Sequence, residues 1–230
     1  MDRSSEFLAE ARRLGLLGPG PLEVHLRHSE AFVEALRRAW DLPERDLEVA
    51  FNPESKGEAT DLLDLGSGAG VPGMIIAELW PASTVTLLDS SKRRCALLSE
   101  WVAQAGWSSR VSVLCGRAEE LARDPGLRNR FDAEVARSFG RPSVTAECGA
   151  PFLRVDGLLV VSDPPTSDRG PAGDPGVEGS RWPADGLRKL GLEPLLRITD
   201  PFHFTILKQT EICPDRYPRR TGVPSKRPLF

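Results

Sequence analysis

The sequence predicts an α/β fold: a mostly parallel, seven-stranded sheet with helices on both faces, preceded by a helical cap. Three observations predict it. Short apolar runs alternate with amphipathic segments from Asp61 to Ser162, the pattern of repeated strand–helix units. The first run, Leu62 to Leu65, stops at Gly66, Gly68 and Gly70, and an amphipathic segment from Met74 to Trp80 follows at once. The second run, Thr84 to Leu88, ends in Asp89, where the carboxyl end of a strand can offer a carboxylate to a ribose.

The elements follow in order. Ser4 or Ser5 can cap a short helix that runs to Leu14 and stops at Gly15. Gly18-Pro19-Gly20-Pro21 then breaks the chain, and Pro21 suits a helix first turn. Leu22, Leu26, Val33, Leu36 and Trp40 recur at helical spacing, which predicts a packed helix over 22–40, and 42–59 link it onward. In the main domain strands are expected at 61–65, 84–88, 110–115, 131–136 and 157–162. Helices at 72–80, 91–105, 118–124 and 142–151 alternate with them. Residues 164–186, rich in Pro, Gly, Ser and Asp, form a loop that is either mobile or part of a substrate mouth. Two last runs, 194–199 and 203–208, fit an antiparallel closing hairpin. The organisation is a cap and linker over 1–59, a main domain over 60–212 and a basic extended tail over 213–230.

Composition narrows the function classes. At 230 residues and a net charge of −3, the chain holds one α/β domain with an appendage, and any nucleic-acid surface must be local. Cys95, Cys115, Cys148 and Cys213 are widely spaced, with Cys95 and Cys115 read as core thiols, so a reducing cytoplasm is expected. His25, His28 and His203 have no matching ligand spacing, so no metal is expected; no run is long enough to span a membrane.

The glycine spacing selects a ligand. A dinucleotide fingerprint would put its third glycine at Val71; here it is Gly70, giving Asp64-x-Gly66-x-Gly68-x-Gly70. That variant suits S-adenosylmethionine (SAM), whose methionine carboxylate can meet exposed N–H groups at the helix start. Asp64 then lies near the methionine ammonium and Asp89 on the ribose. After the third strand, Ala118 and Glu119 are placed to meet the adenine edge. Arg137, after the fourth strand, sits where the transferred methyl group is faced and is the candidate catalytic residue, touching cofactor or target nucleotide. Its plainer alternative is an ion pair with Glu134 or Glu147. Asp163-Pro164-Pro165-Thr166 looks like the motif of exocyclic-amine methylating enzymes, but it follows the fifth strand and lacks the aromatic ring, so it reads as a loop start. No general base stands out. Guanine N7 needs none, because its lone pair is free and it has no proton to lose. The tail carries Arg219, Arg220, Lys226 and Arg227 with no acid among them, charges that can reach a phosphate backbone or belong to a solvated terminus.

These residues resemble a known family. Leu62 to Gly73, Leu87 to Arg93, Arg117-Ala118-Glu119, Val135 to Phe139 and the tail from Tyr217 to Leu229 are similar to the RsmG (GidB) family. The resemblance implies a class I SAM-dependent, Rossmann-like methyltransferase that modifies guanine N7 in 16S ribosomal RNA of the bacterial small ribosomal subunit. It implies cofactor contacts from Gly66, Val71, Ala118, Glu119 and Arg137, and RNA contacts from Lys92, Arg219, Arg220 and Lys226. A cytoplasmic monomer is expected. The chain departs from the family at Ser162-Asp163, where a lysine is usual, and at Phe202-His203-Phe204, where a basic residue is usual. It also lacks the family's Asn-Leu-Thr segment. Two other functions fit the same cofactor loop: methyl transfer to a protein or small molecule, and a ribosome-binding module that keeps SAM without catalysis.

Overall fold

The computed structural model describes residues 3–42, 60–164 and 180–230. Residues 43–59 of the expected 42–59 linker, and most of the expected loop, 165–179, lie outside the described residues. Helices α1 (Arg3–Arg13) and α2 (Leu22–Trp40) form the cap. Strands β1 (Asp61–Leu65), β2 (Thr84–Asp89), β3 (Val111–Cys115), β4 (Phe131–Ala136) and β5 (Leu153–Ser162) follow, with α3 (Gly73–Leu79), α4 (Lys92–Gln104), α5 (Ala118–Leu121) and α6 (Pro142–Gly149) between them. After α7 (Ala184–Arg188) come β6 (Leu192–Ile198) and β7 (Phe204–Gln209), and α8 (Val223–Lys226) closes the chain.

The seven strands form one sheet in the order β3-β2-β1-β4-β5-β7-β6. The first five are mutually parallel, and β7 runs antiparallel between β5 and β6. The order reverses direction between β1 and β4, so the crevice at their carboxyl ends is the place where such sheets bind ligands. The parallel strands are buried on both faces: β4 is buried at every position, although Asp132 and Glu134 interrupt its apolar run. One face packs against the cap, α3 and α4; Phe32 of α2 meets Phe204 of β7 at 4.7 Å between centroids, and Trp40 meets Trp80 at 5.4 Å. The other face packs against α6, α7 and the tail.

Several expectations are corrected. Ser4 does not cap α1; it is buried inside the helix, and its hydroxyl donates to the Glu78 carboxylate on α3. Cys115 is exposed because β3 is the sheet's edge, whereas Cys95, Cys148 and Cys213 are buried. Strand β5 starts at Leu153, earlier than expected, through an irregularity opposite Phe131 and Ala133. Strand β6 starts at Leu192 and tolerates Pro194 because it pairs on one side only and bulges there. The tail is not wholly extended. Gly222 takes a φ of +79° and starts the single turn α8, which admits Pro224 because a first-turn residue needs no intrahelical N–H.

Glu134 is the sharpest local conflict. It stands on β4 beside Leu63 of β1, is 0 % exposed, and neither carboxyl oxygen has a hydrogen-bond partner. It fits only because residue 149 is glycine: a Cβ there would lie 2.5 Å from its Oε1. Burial, and then the nearby Asp64, push its carboxyl well above the usual carboxylate range. The folded chain therefore keeps this proton to higher pH than the unfolded chain does. The contribution to stability is present below about pH 4 and is lost as pH rises through the folded value. Replacing Glu134 by methionine removes the unsatisfied polar group. We expect a gain of about 1–2 kcal/mol at pH 7 in denaturant unfolding, and a larger gain at pH 8 than at pH 5.

Candidate cofactor and substrate site

The glycine turn is built on backbone bonds. The N–H groups of Gly66 and Ser67 both donate to the Leu88 carbonyl at 2.8 Å, tying the turn to the end of β2. Gly68 N–H donates to Asp89 Oδ2 at 2.9 Å, and Ser91 N–H to Asp89 Oδ1 at 2.8 Å. Asp89 is thus 4 % exposed and oriented from two sides, with the guanidinium of Arg94 at 3.6 Å. A carboxylate has about four acceptor sites, so lone pairs remain for a ligand hydroxyl. Gly66 takes a φ of +77°, and a Cβ on it would lie 2.6 Å from a ring carbon of Phe139. The glycine is therefore required both by its backbone angle and by the ring seated on it.

A cavity of about 220 Å³ opens beside this turn. Gly66, Asp89, Ala118, Glu119, Phe139 and Val144 are among its walls, with Ser225 of the tail at its rim. Glu119 is 3 % exposed; its Oε1 accepts from the Arg117 guanidinium at 3.1 Å and from Gly222 N–H at 3.1 Å. Burial alone would raise its pKa, but its own N–H, the Gly222 N–H and Arg117 outweigh burial and hold it below the usual value. Glu119 therefore stays ionised and its second oxygen can accept from a ligand.

Asp64, Gly70 and Val71 do not line this cavity. Asp64 accepts from Gly73 N–H at 3.0 Å, and burial pushes its carboxyl up to about 7. Gly70 is covered by Phe7, Met74 and Leu98, and Val71 is 8 % exposed within the core. Gly68 meets Asp89 in the manner just described.

A second cavity, about 670 Å³, lies at the ends of β4 and β5 and shares Ser138 and Phe139 with the first. Arg137, His28, Asp163, Arg181, Phe202 and His203 border it. Arg137 pairs with neither Glu134 nor Glu147: its Nη2 donates to Nδ1 of His25 at 2.7 Å. Asp163 is a junction, accepting from Thr205 Oγ1 at 2.5 Å and from Trp182 Nε1 at 3.3 Å, with Arg181 at 3.5 Å. The expected loop start at Asp163 thus joins β7 to Arg181 and Trp182.

Among the RNA candidates, Lys92, Arg220 and Lys226 are exposed. Arg219 is turned inward: its Nε and Nη2 form a two-pronged pair with Glu147 at 2.8 and 2.7 Å, and its backbone N–H donates to the same carboxylate at 2.9 Å. Three groups that matter were given no site role from the sequence: His25, Phe139 and the Gly222 N–H. For His25 a signal existed, because His25, His28 and Phe32 fall on one face of α2 by helical spacing. Among the described residues no group of His, Cys, Asp and Glu could hold a metal, and no helix is long and apolar enough to cross a membrane.

A seven-stranded sheet in which only β7 runs antiparallel to the rest, with a glycine turn after β1 and an acid ending β2, defines a class I SAM-dependent methyltransferase fold. An antibiotic-resistance methyltransferase, Kmr, shares this fold with a TM-score of 0.53 and 15% identity, covering 71% of this chain and 95% of that one. A Corynebacterium glutamicum protein does so with a TM-score of 0.55 and 17% identity over 92% of this chain and 91% of its own. Within that class, residues 47–162 match the GidB family model, described as rRNA small subunit methyltransferase G, and the chain belongs to that family. The ribosomal RNA small subunit methyltransferase G of Streptococcus thermophilus is 34% identical over 180 residues, 76% of this chain and 72% of that protein.

Proposed function

We propose that the chain is a SAM-dependent methyltransferase that modifies guanine N7 in small-subunit (16S) ribosomal RNA, as a cytoplasmic monomer that needs no metal. The observation that supports it most is the pair of adjoining cavities in a chain of this family, the first bordered by Asp89 and Glu119 beside the glycine turn and the second by Arg137 and Arg181 at the ends of β4 and β5. SAM supplies an electrophilic sulfonium methyl group. The residues fit it: Asp89 and Glu119 have spare acceptor sites for ribose and adenine, Gly66 leaves bare backbone, and Ala118, Phe139 and Val144 give apolar walls. Asp64 beneath the turn responds to a cation overhead, which would favour its ionised form. Arg137 and Arg181 border the second cavity, where a guanidinium can bind a phosphate or stack on a base. Arg181 stands at the end of β5, paired with Asp163 at 3.5 Å, where the sequence reads Ser162-Asp163. Guanine N7 needs no proton removed, so holding the base in line with the methyl group supplies most of the acceleration.

The test is methyl transfer from labelled SAM to small subunits, and to naked 16S RNA, that lack 7-methylguanosine. Label at guanine N7, located by mass mapping, is the expected outcome; no transfer to either overturns the reading. The exposed tail cations make a separate prediction. Replacing Arg220, Lys226 and Arg227 by glutamine should weaken RNA binding and flatten its salt dependence by about 0.7 log unit per log salt for each phosphate no longer neutralised. Filter binding across a salt series reads this directly.

A further inference from the structure

Arg137 is held from the cap. A guanidinium carries only donors, so the 2.7 Å contact from its Nη2 requires His25 Nδ1 to be the unprotonated, accepting nitrogen. The ring hydrogen then sits on Nε2, which lies 3.2 Å from the Gly18 carbonyl, an acceptor that matches it. The His25 ring is 4 % exposed and engaged at both nitrogens, so it cannot turn without breaking a bond. The charged or titratable groups facing the ring are Arg137 at the end of β4, Arg12 of α1 and His28 of α2. Burial, then Arg137 and Arg12, favour its neutral form.

We propose that His25 is a positioning residue for Arg137: the Gly18 carbonyl fixes the Nε2–H tautomer, and the Nδ1 lone pair holds the guanidinium beside the wall shared by the two cavities. The inference rests on Arg137 acting in methyl transfer. Protonating the ring exchanges the acceptor for a second donor facing a guanidinium, which releases Arg137.

Two measurements on the full chain test it. Nitrogen-15 histidine spectra of the wild type and of Arg137→Met need no activity. A single Nε2–H tautomer whose Nδ1 signal moves when Arg137 is replaced is expected. An Nδ1–H tautomer, or identical spectra with and without Arg137, overturns the proposal. The second measurement is steady-state methyl transfer by His25→Leu and His25→Gln. Leucine should lower kcat about tenfold or more with KM for SAM changed by less than about twofold. Glutamine, whose amide oxygen accepts, should recover part of kcat and lose the wild type's decline on the acid side of the pH profile. Equal kcat in wild type and His25→Leu overturns the proposal. A wild type inactive on RNA that still shows the expected spectra supports the His25–Arg137 contact and sinks the methyltransferase reading alone.

Discussion

Replacing Arg219 by methionine is expected to cost about 3 kcal/mol of stability and to weaken SAM binding about tenfold. The first effect comes from Glu147, which is 0 % exposed and would lose both guanidinium bonds. Its surroundings do not help, because Glu119 and Glu134 are nearby acids around Cys148. The figure sits at the low end for a broken buried pair because the Arg219 side chain is 27 % exposed and partly screened. The second effect follows from the tail's path. Arg219 also ties the chain to itself, donating from Nη2 to the Arg227 carbonyl at 2.6 Å, and Gly222 lies three residues on. With the anchor gone, the Gly222 N–H leaves Glu119 and the rim at Ser225 loosens. Denaturant unfolding and calorimetric titration with SAM measure the two effects. A double change, Arg219→Met with Glu147→Met, should recover most of the stability, since no buried charge is then left without a partner. If the single change leaves both stability and SAM affinity intact, the tail is not part of the cofactor site.

Gly66→Val should abolish usable cofactor affinity, raising the dissociation constant about a hundredfold or more, roughly 3 kcal/mol. Two costs combine. A β-branched residue at a φ of +77° is strained by about 1–2 kcal/mol. Its Cβ would also stand 2.6 Å from Phe139, whose ring is half-buried and must swing into the wall shared by the two cavities. Thermal unfolding should fall by several degrees, while far-ultraviolet circular dichroism is unchanged. Adding Phe139→Ala removes the collision but not the backbone strain, so stability should return in part and SAM affinity should not. Full recovery of SAM binding in that double variant would show that the collision, and not the bare backbone of Gly66, decides affinity.

Much of this was legible along the chain because it depends on neighbours in sequence. The alternation of apolar runs and amphipathic helices placed all seven strands, and the spacing of Gly66, Gly68, Gly70 and Asp89 placed the glycine turn against the end of β2. The ends of elements were less legible. Ser4 looked like a cap and became a buried partner of Glu78, because packing against α3 outweighed the local preference. The tail's charge was visible, but its direction was not: Arg219 and Arg220 are adjacent, and only the buried carboxylate on α6 makes one of them point inward.

What the sequence by itself determined is therefore the parallel sheet, the glycine turn and the acid that faces it, all of which are set by local periodicity and by backbone angles that few residues accept. Tertiary structure alone decided that Asp64 and Val71 are buried and Gly70 is covered, that Phe139 seats on Gly66, and that His25 from the cap grips Arg137 across 112 positions of sequence. The physical reason is that a hydrogen bond or a ring contact is made by whichever groups the packed fold brings together. No period in the chain records which distant partner that will be.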